Sequence, residues 1–329
     1  MINFKLKNKA NPYLILEAGI NHEGLIDKAI KIIDLSKKTK ANAIKFQYFD
    51  PEDIYLSGSE GFKSLKKCFL SKEEIYSLKK YCGSKIDFLC TGYSKKSFNF
   101  LEKINVKAHK ISSMDNNNTN LINYVAKFNK PIFFSTGMSD LANIKKQFRN
   151  IFSLNKKLVV LHCISNYPTL NKDLNLNTIN FLKKNFNCKI GFSDHSIGIY
   201  GLLAVLSFYP DVIEKHFTFD KKRLGFDHNI SADFKDIKFF YEYLEFYKNC
   251  FGATNVFKNR PDSNNEKVFR KGLYYRKDFF KGEIVNEESF LQARPGKNFS
   301  MINIIEKNKE FTLKKNVKEK QLVNFKDFK

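Results

Sequence analysis

LILEAGINHEGLIDKAIKIIDLSKKTKANAIKFQYF, residues 14–49, sets two short apolar runs, Leu14 to Gly19 and Ala43 to Phe49, around a segment of different rhythm. From Leu25 to Lys38 the apolar residues recur at three and four positions, the mark of an amphipathic helix. The same alternation continues along the chain. Strand-like runs follow at Ile86 to Gly92, Ala108 to Ser112, Pro131 to Gly137, Leu158 to Ser165, Lys189 to Ser196 and Val212 to Thr218. Helical periodicity marks Glu73 to Tyr81, Thr119 to Phe128, Ile144 to Phe152, Leu176 to Phe186 and a last helix from Ala232 to Phe251. Strictly alternating strands and helices imply a parallel sheet with right-handed crossovers. Eight such units in roughly 240 residues predict an α/β fold of the closed (β/α)8 TIM-barrel type.

After Gly252 the composition changes. The polar stretch Asn255 to Lys267 reads as a linker, which divides the chain into a barrel at 1–252, a linker at 253–267 and a second domain at 268–329. The tail has strand-like runs at Gly272 to Tyr275 and Glu310 to Leu313. It also holds two similar pieces, DFFKGEIVNEESF (278–290) and KNVKEKQLVNFKDF (315–328). About 60 residues suffice for a small compact domain.

With 329 residues and 43% hydrophobic content the chain can bury a full core. No apolar stretch approaches the roughly 20 residues that cross a bilayer, and no signal-peptide pattern is present, so a cytoplasmic location is expected. The six cysteines are scattered without CxxC pairing and read as free thiols. The formal charge of +23 comes from lysines spread along the chain with no arginine-rich cluster. That pattern argues for compositional bias over nucleic-acid binding, although the field would draw in an anionic substrate.

In a barrel of this kind the chemistry sits at the C-terminal ends of the strands. Those ends carry Glu17, Lys45, Gln47, Thr91, Lys110, Ser112, Ser113, Ser135, Thr136, His162, Ser193, Asp194, His195 and His216. Two lysines inside apolar strands, in AIKFQ and AHKIS, point to a bound phosphate or carboxylate, with Thr91, Ser113 and Ser135 as neutral donors. The competing reading for each lysine is an ion pair with a core carboxylate. His195 and His216 end adjacent strands and together suit a divalent metal with open positions. His22 and His162 either line the pocket or cap a loop, His109 should face the helices, and Asp227 is a candidate acceptor for a sugar.

EAGINHEG (17–24), IKFQYF (44–49), HKISS (109–113), FSTGM (134–138), LHCISNYPT (161–169), GFSDHSIG (191–198), IEKHFT (213–218) and ARPGKN (293–298) stand in order along the chain. Together they resemble the motif set of the N-acetylneuraminate (sialic acid) synthase family, with its legionaminic and pseudaminic acid relatives. The resemblance implies condensation of phosphoenolpyruvate with an N-acylated sugar aldehyde by a TIM barrel followed by a small antifreeze-like (SAF) domain. That domain would reach over the partner's active site in a domain-swapped homodimer.

By the same resemblance, Lys45, Thr91, Lys110, Ser113, Ser135 and Ser193 match phosphoenolpyruvate-binding positions. His195 and His216 match ligands of a divalent metal, Mn2+ first, with Mg2+ or Co2+ as alternatives. Glu17, Gln47, Asp115, Tyr167 and Asp227 match positions around the metal and the sugar, with Glu17 the candidate for proton handling. Arg294 would bind the N-acyl group across the dimer. Asp115, Ser165 and Phe226 stand where relatives commonly have Glu, Asn and Pro, which leaves the choice between N-acetylmannosamine and a diacetamido-dideoxy hexose open. Rival readings are a Kdo-phosphate or DAHP synthase using a phosphorylated sugar, and a glycan- or RNA-binding protein on an inactive barrel.

Overall fold

The structure, a computed structural model, describes residues 11–252, 255, 260–296 and 310–329. The chain divides into two compact units, Met1–Cys250 and Phe251–Lys329.

In the first unit, all eight expected strands form. They are β1 (Tyr13–Gly19), β2 (Ala43–Tyr48), β3 (Asp87–Gly92), β4 (His109–Ile111), β5 (Ile132–Ser135), β6 (Leu158–Cys163), β7 (Lys189–Asp194) and β8 (Val212–His216). They pair in parallel in the order β3-β2-β1-β8-β7-β6-β5-β4, and the two end strands come side by side to make a nearly closed barrel. Most strands stop one or two residues before the expected end, because the polar residues that follow already belong to loops on the catalytic side of a TIM barrel.

Helices α1 (Ile26–Lys37), α2 (Glu60–Lys66), α3 (Lys72–Cys82), α4 (Lys95–Lys103), α5 (Thr119–Ala126), α6 (Leu141–Leu154), α7 (Thr178–Asn185), α8 (Tyr200–Val205) and α9 (Phe234–Cys250) connect and surround the strands. Short polar side chains start several of them. Ser71 and Ser94 form capping boxes at α3 and α4, and the side chains of Asn118 and Asp140 accept from Leu121 N and Asn143 N at α5 and α6.

Alternation along each strand separates two cores. Side chains such as Ile44, Phe46, Phe134, Val160 and Ile213 meet the helices. Tyr13, Ile15, Ala43, Leu89, Ala108, Phe133, Val159, Leu161 and Val212 form a separate buried cluster that fills the barrel interior. The polar residues lie one step further along the same inward faces, so the apolar layer is the floor of the site.

The second unit contains α10 (Glu266–Phe269), β9 (Gly272–Tyr275), β10 (Ile284–Asn286), β11 (Phe290–Ala293) and β12 (Glu310–Thr312). Strand β9 pairs with β11, and β10 with β12, both antiparallel. Part of the expected linker, at 253, 254 and 256–259, and the end of ARPGKN lie outside the described residues. Within the remainder, 263–269 forms helical turns.

The two similar tail pieces adopt the same conformation at an offset of 38 residues. Gly282 and Lys320 both have positive φ, at 90° and 59°. Asn286 and Asn324 each cap a 3-10 turn in the same way. Phe279, Val285 and Phe290 from one piece and Val317, Val323 and Phe328 from the other share one core.

Candidate active site

Period-two alternation brings the strand-end side chains into one cavity of about 220 Å3. Glu17, Lys45, Gln47, Thr91, Lys110, Ser113, Ser135, Tyr167, Ser193, His195 and His216 all line it. Asp115 and Asp227 do not. Asp115 sits beyond the rim, where its carboxylate accepts from Ser112 Oγ at 3.2 Å and burial pushes its pKa up to about 6. Asp227 lies outside the lining, but its Oδ2 is 3.4 Å from His216 Nδ1. Arg294 belongs to the second unit, where its guanidinium stands over the Phe269 ring, 5.5 Å from the centroid.

Glu214 and Cys163 line the cavity and were not among the residues proposed from sequence. Glu214 is the hub of the base. Lys110 Nζ is 2.5 Å from its Oε1, Ser193 Oγ donates to the same oxygen at 2.9 Å, and Lys45 Nζ is 3.6 Å from its Oε2. Lys45 also pairs with Glu17 Oε2 at 2.6 Å and donates to Thr91 Oγ1 at 3.1 Å. Both lysines therefore form the ion pairs of the competing reading. Glu214 was legible: it lies two residues before His216 on the same strand, and so on the same inward face.

The two glutamates have opposite electrostatics. Burial disfavours the charge on both, but Glu214 faces two lysines and its pKa falls well below the carboxylate range. Glu17 has Lys45 alone as a cationic partner and is repelled by Glu214, so burial prevails and its pKa rises. Gln47 Nε2 donates to Glu17 Oε1 at 3.0 Å. The buried Ser135 hydroxyl has no hydrogen-bond partner.

At the other end, the His195 and His216 rings lie 5.4 Å apart between centroids, and Tyr167 covers His195 at 4.2 Å. His195 Nδ1 is 2.8 Å from Ile164 O, so the ring donates its Nδ1 proton there. Burial, with repulsion from His195 and Lys45, holds the pKa of His216 well below the usual imidazole value, and its buried Nδ1 makes no hydrogen bond. A neutral imidazole with a free nitrogen suits a divalent ion. Among the described residues no group of three His, Cys, Asp or Glu side chains forms a metal cage. The two imidazoles would supply two ligands to such an ion, and water or substrate would have to supply the rest.

The other histidines have structural partners. His22 Nδ1 accepts from Gly24 N, which makes it a loop cap, while His162 Nε2 meets Leu174 O and His109 Nε2 meets Glu102 on α4. Phe226 has φ of 51°, a backbone conformation that proline cannot adopt.

The class follows from barrel and site together: a (β/α)8 enzyme with paired lysines at the cavity base and a histidine pair across adjacent strands. The NeuB family pattern matches residues 32–255, and the chain belongs to that family. It is 31% identical to the N,N'-diacetyllegionaminic acid synthase of Legionella pneumophila, over 86% of this chain and 85% of the relative. It is also 31% identical to a pseudaminic acid synthase of Campylobacter jejuni, over 89% of each chain. The crystal structure of the N-acetylneuraminic acid (sialic acid) synthetase of Leptospira borgpetersenii superposes with a TM-score of 0.73 at 31% identity, covering 78% of this chain and 90% of that one. The chain is an enzyme of nonulosonic acid synthesis, a phosphoenolpyruvate-dependent synthase. No helix among the described residues is long and apolar enough to cross a membrane.

Proposed function

We propose that the enzyme joins C3 of phosphoenolpyruvate to the aldehyde carbon of an open-chain N-acylated hexosamine, with water entering and phosphate leaving. The observation that carries this reading is one cavity with two buried lysines at its base and two histidines on adjacent strands.

Phosphoenolpyruvate brings a carboxylate and a phosphate. Lys45 and Lys110, with Thr91, Ser113, Ser135 and Ser193, supply cationic and hydroxyl donors for both groups. Lys110 exchanges Glu214 for a substrate oxygen, and the unpartnered Ser135 hydroxyl gives up no bond when it donates. These groups act by positioning and by electrostatic stabilisation in a cavity with little water. His195 and His216 would hold a divalent ion, Mn2+ first and Mg2+ or Co2+ as alternatives, and when bound it would supply Lewis-acid polarisation of the aldehyde oxygen.

Glu17 sits on β1 in register with both Lys45 and His216. Its raised pKa lets it give a proton to the aldehyde oxygen as the carbon–carbon bond forms. It regains one from the water that adds at C2. The C2–O bond to phosphate then breaks as the C2 hydroxyl passes its proton to the departing phosphate, leaving a 2-keto acid and inorganic phosphate.

N-acetylmannosamine is the first reading of the sugar. A diacetamido-dideoxy hexose is the second, favoured by the legionaminic and pseudaminic acid synthases among the relatives. Gln47, Asp115, Tyr167 and Asp227 contact or border the sugar, and Arg294 binds its N-acyl group from the partner subunit. The second unit is then an antifreeze-like (SAF) domain in a domain-swapped homodimer, and the enzyme works in the cytoplasm. The test is product formation from phosphoenolpyruvate and both sugar types with Mn2+, before and after chelation. Turnover that needs metal supports the reading, and full activity in chelator overturns the metal role.

A further inference from the structure

Immediately before each metal-site histidine stands a charged residue of opposite sign: Asp194 before His195 and Lys215 before His216. The two charges are register partners on the parallel strands β7 and β8. By alternation they point away from the cavity, and their side chains are completely buried, with Lys215 Nζ 3.0 Å from Asp194 Oδ2. The pair also grips the backbone that carries His195. Asp194 Oδ1 accepts from Ser196 N at 2.8 Å, and Lys215 Nζ donates to Ser196 O at 2.5 Å. The carbonyl of His195 accepts from Thr169 N at 3.0 Å.

An ion pair in this position is not explained by stability alone. Two buried charges cost desolvation, and a well-packed apolar pair of similar volume commonly serves as well or better. What the charged pair adds is register. A slip of one residue between β7 and β8 would place one histidine on the outer face, and it would also separate Asp194 from Lys215 in a water-free layer.

We propose that Asp194 and Lys215 are positioning residues that lock β7 against β8 from behind and so fix the two imidazoles at metal-binding separation. This rests on the reading of His195 and His216 as metal ligands. Neither residue touches substrate or metal, and their effect runs through the backbone of 194–196 and through strand register.

Two variants test it independently. The double variant Asp194→Asn, Lys215→Met removes both charges together, leaving no unpaired buried ion, and retains an acceptor for Ser196 N. Gly201→Ala acts from α8: its Cβ would lie 2.9 Å from Asp194 Oδ2 and 2.9 Å from Ser196 Oγ, so the clamp must shift. Alanine is the better helix former, so this second variant should fold even where the double variant does not.

The readout is Mn2+ binding, followed by the loss of the free-ion electron paramagnetic resonance signal, alongside phosphoenolpyruvate binding to the metal-free protein. The expected result is Mn2+ affinity reduced at least tenfold in the double variant and several-fold in Gly201→Ala, with phosphoenolpyruvate affinity within twofold of the parent. Folded variants that bind Mn2+ like the parent would overturn the proposal, and so would an equal loss at both ends of the cavity. If the double variant does not fold, Gly201→Ala decides. A parent enzyme that binds no Mn2+ would overturn the metal reading itself, and this proposal with it.

Discussion

The two ends of the cavity are built on different plans. At the base, Lys45 and Lys110 are already bonded to Glu17 and Glu214, so an incoming anion must displace a partner. At the other end, His195 Nδ1 meets Ile164 O, and His216 Nδ1 has no hydrogen-bond partner among the described residues. The base is thus an exchangeable network and the histidine end a preset one. A buried charge needs a counter-ion in the absence of substrate, whereas a neutral imidazole can be left open at little cost.

The largest expected effect is at the preset end. On the proposed metal reading, His216→Ala would remove one of two protein ligands, and kcat should fall by up to about a thousandfold, as for loss of a transition-state electrostatic element. Thermal stability should stay close to the parent, because the free Nδ1 contributes no hydrogen bond. Steady-state kinetics and a melting curve check both halves.

The exchangeable end should respond differently. Lys110→Met leaves Glu214 buried, with its remaining lysine 3.6 Å away, and should cost about 3 kcal/mol of stability as well as roughly 100-fold in phosphoenolpyruvate affinity. Adding Glu214→Gln should restore much of the stability and none of the affinity. Denaturant unfolding and calorimetric titration separate the two. A Lys110→Met protein as stable as the parent would break the contrast between the ends.

A smaller effect concerns Arg294. Subunits carrying Arg294→Ala and subunits carrying His216→Ala, each poorly active alone, should regain up to about a quarter of parental turnover on random mixing if sites are shared across the dimer. An absence of rescue would place Arg294 outside the partner's site.

The smallest expected effect lies away from both ends. Burial opposes the charge of Glu23, but Arg223 and Lys28 outweigh it and hold the carboxyl down to about 2. A carboxyl with its folded pKa lowered contributes stability above its unfolded pKa near 4.5 and loses it as pH falls through about 2. Glu23→Gln should therefore lower the melting temperature at pH 7, with the difference from the parent shrinking on acidification below about 4.5. Melting curves across that range check it.

The barrel was legible because eight apolar runs alternate with helical periodicity, and the inward residues followed from period two. Lys45, Lys110, His195 and His216 were found that way. Glu214 was missed although the same rule selects it, because an acidic residue beside a lysine in IEKHFT reads as a local pair. Its actual partners come from β2, β4 and β7, which only three-dimensional closure brings near. Asp115 shows the complementary limit of a local pattern. Its motif position borders the site, but the 3-10 turn at Ser113–Asp115 turns its carboxylate to Ser112. The pairing of Asp194 with Lys215 needs strand register, which no local pattern supplies.

The most direct measurement of the central claim uses phosphoenolpyruvate labelled with 18O at the bridging oxygen, incubated with Mn2+ and an N-acylated hexosamine. The expected result is inorganic phosphate that retains the label, formed in step with the nine-carbon acid and only when the sugar is present. Label left in the acid, or phosphate released equally without sugar, would contradict the account.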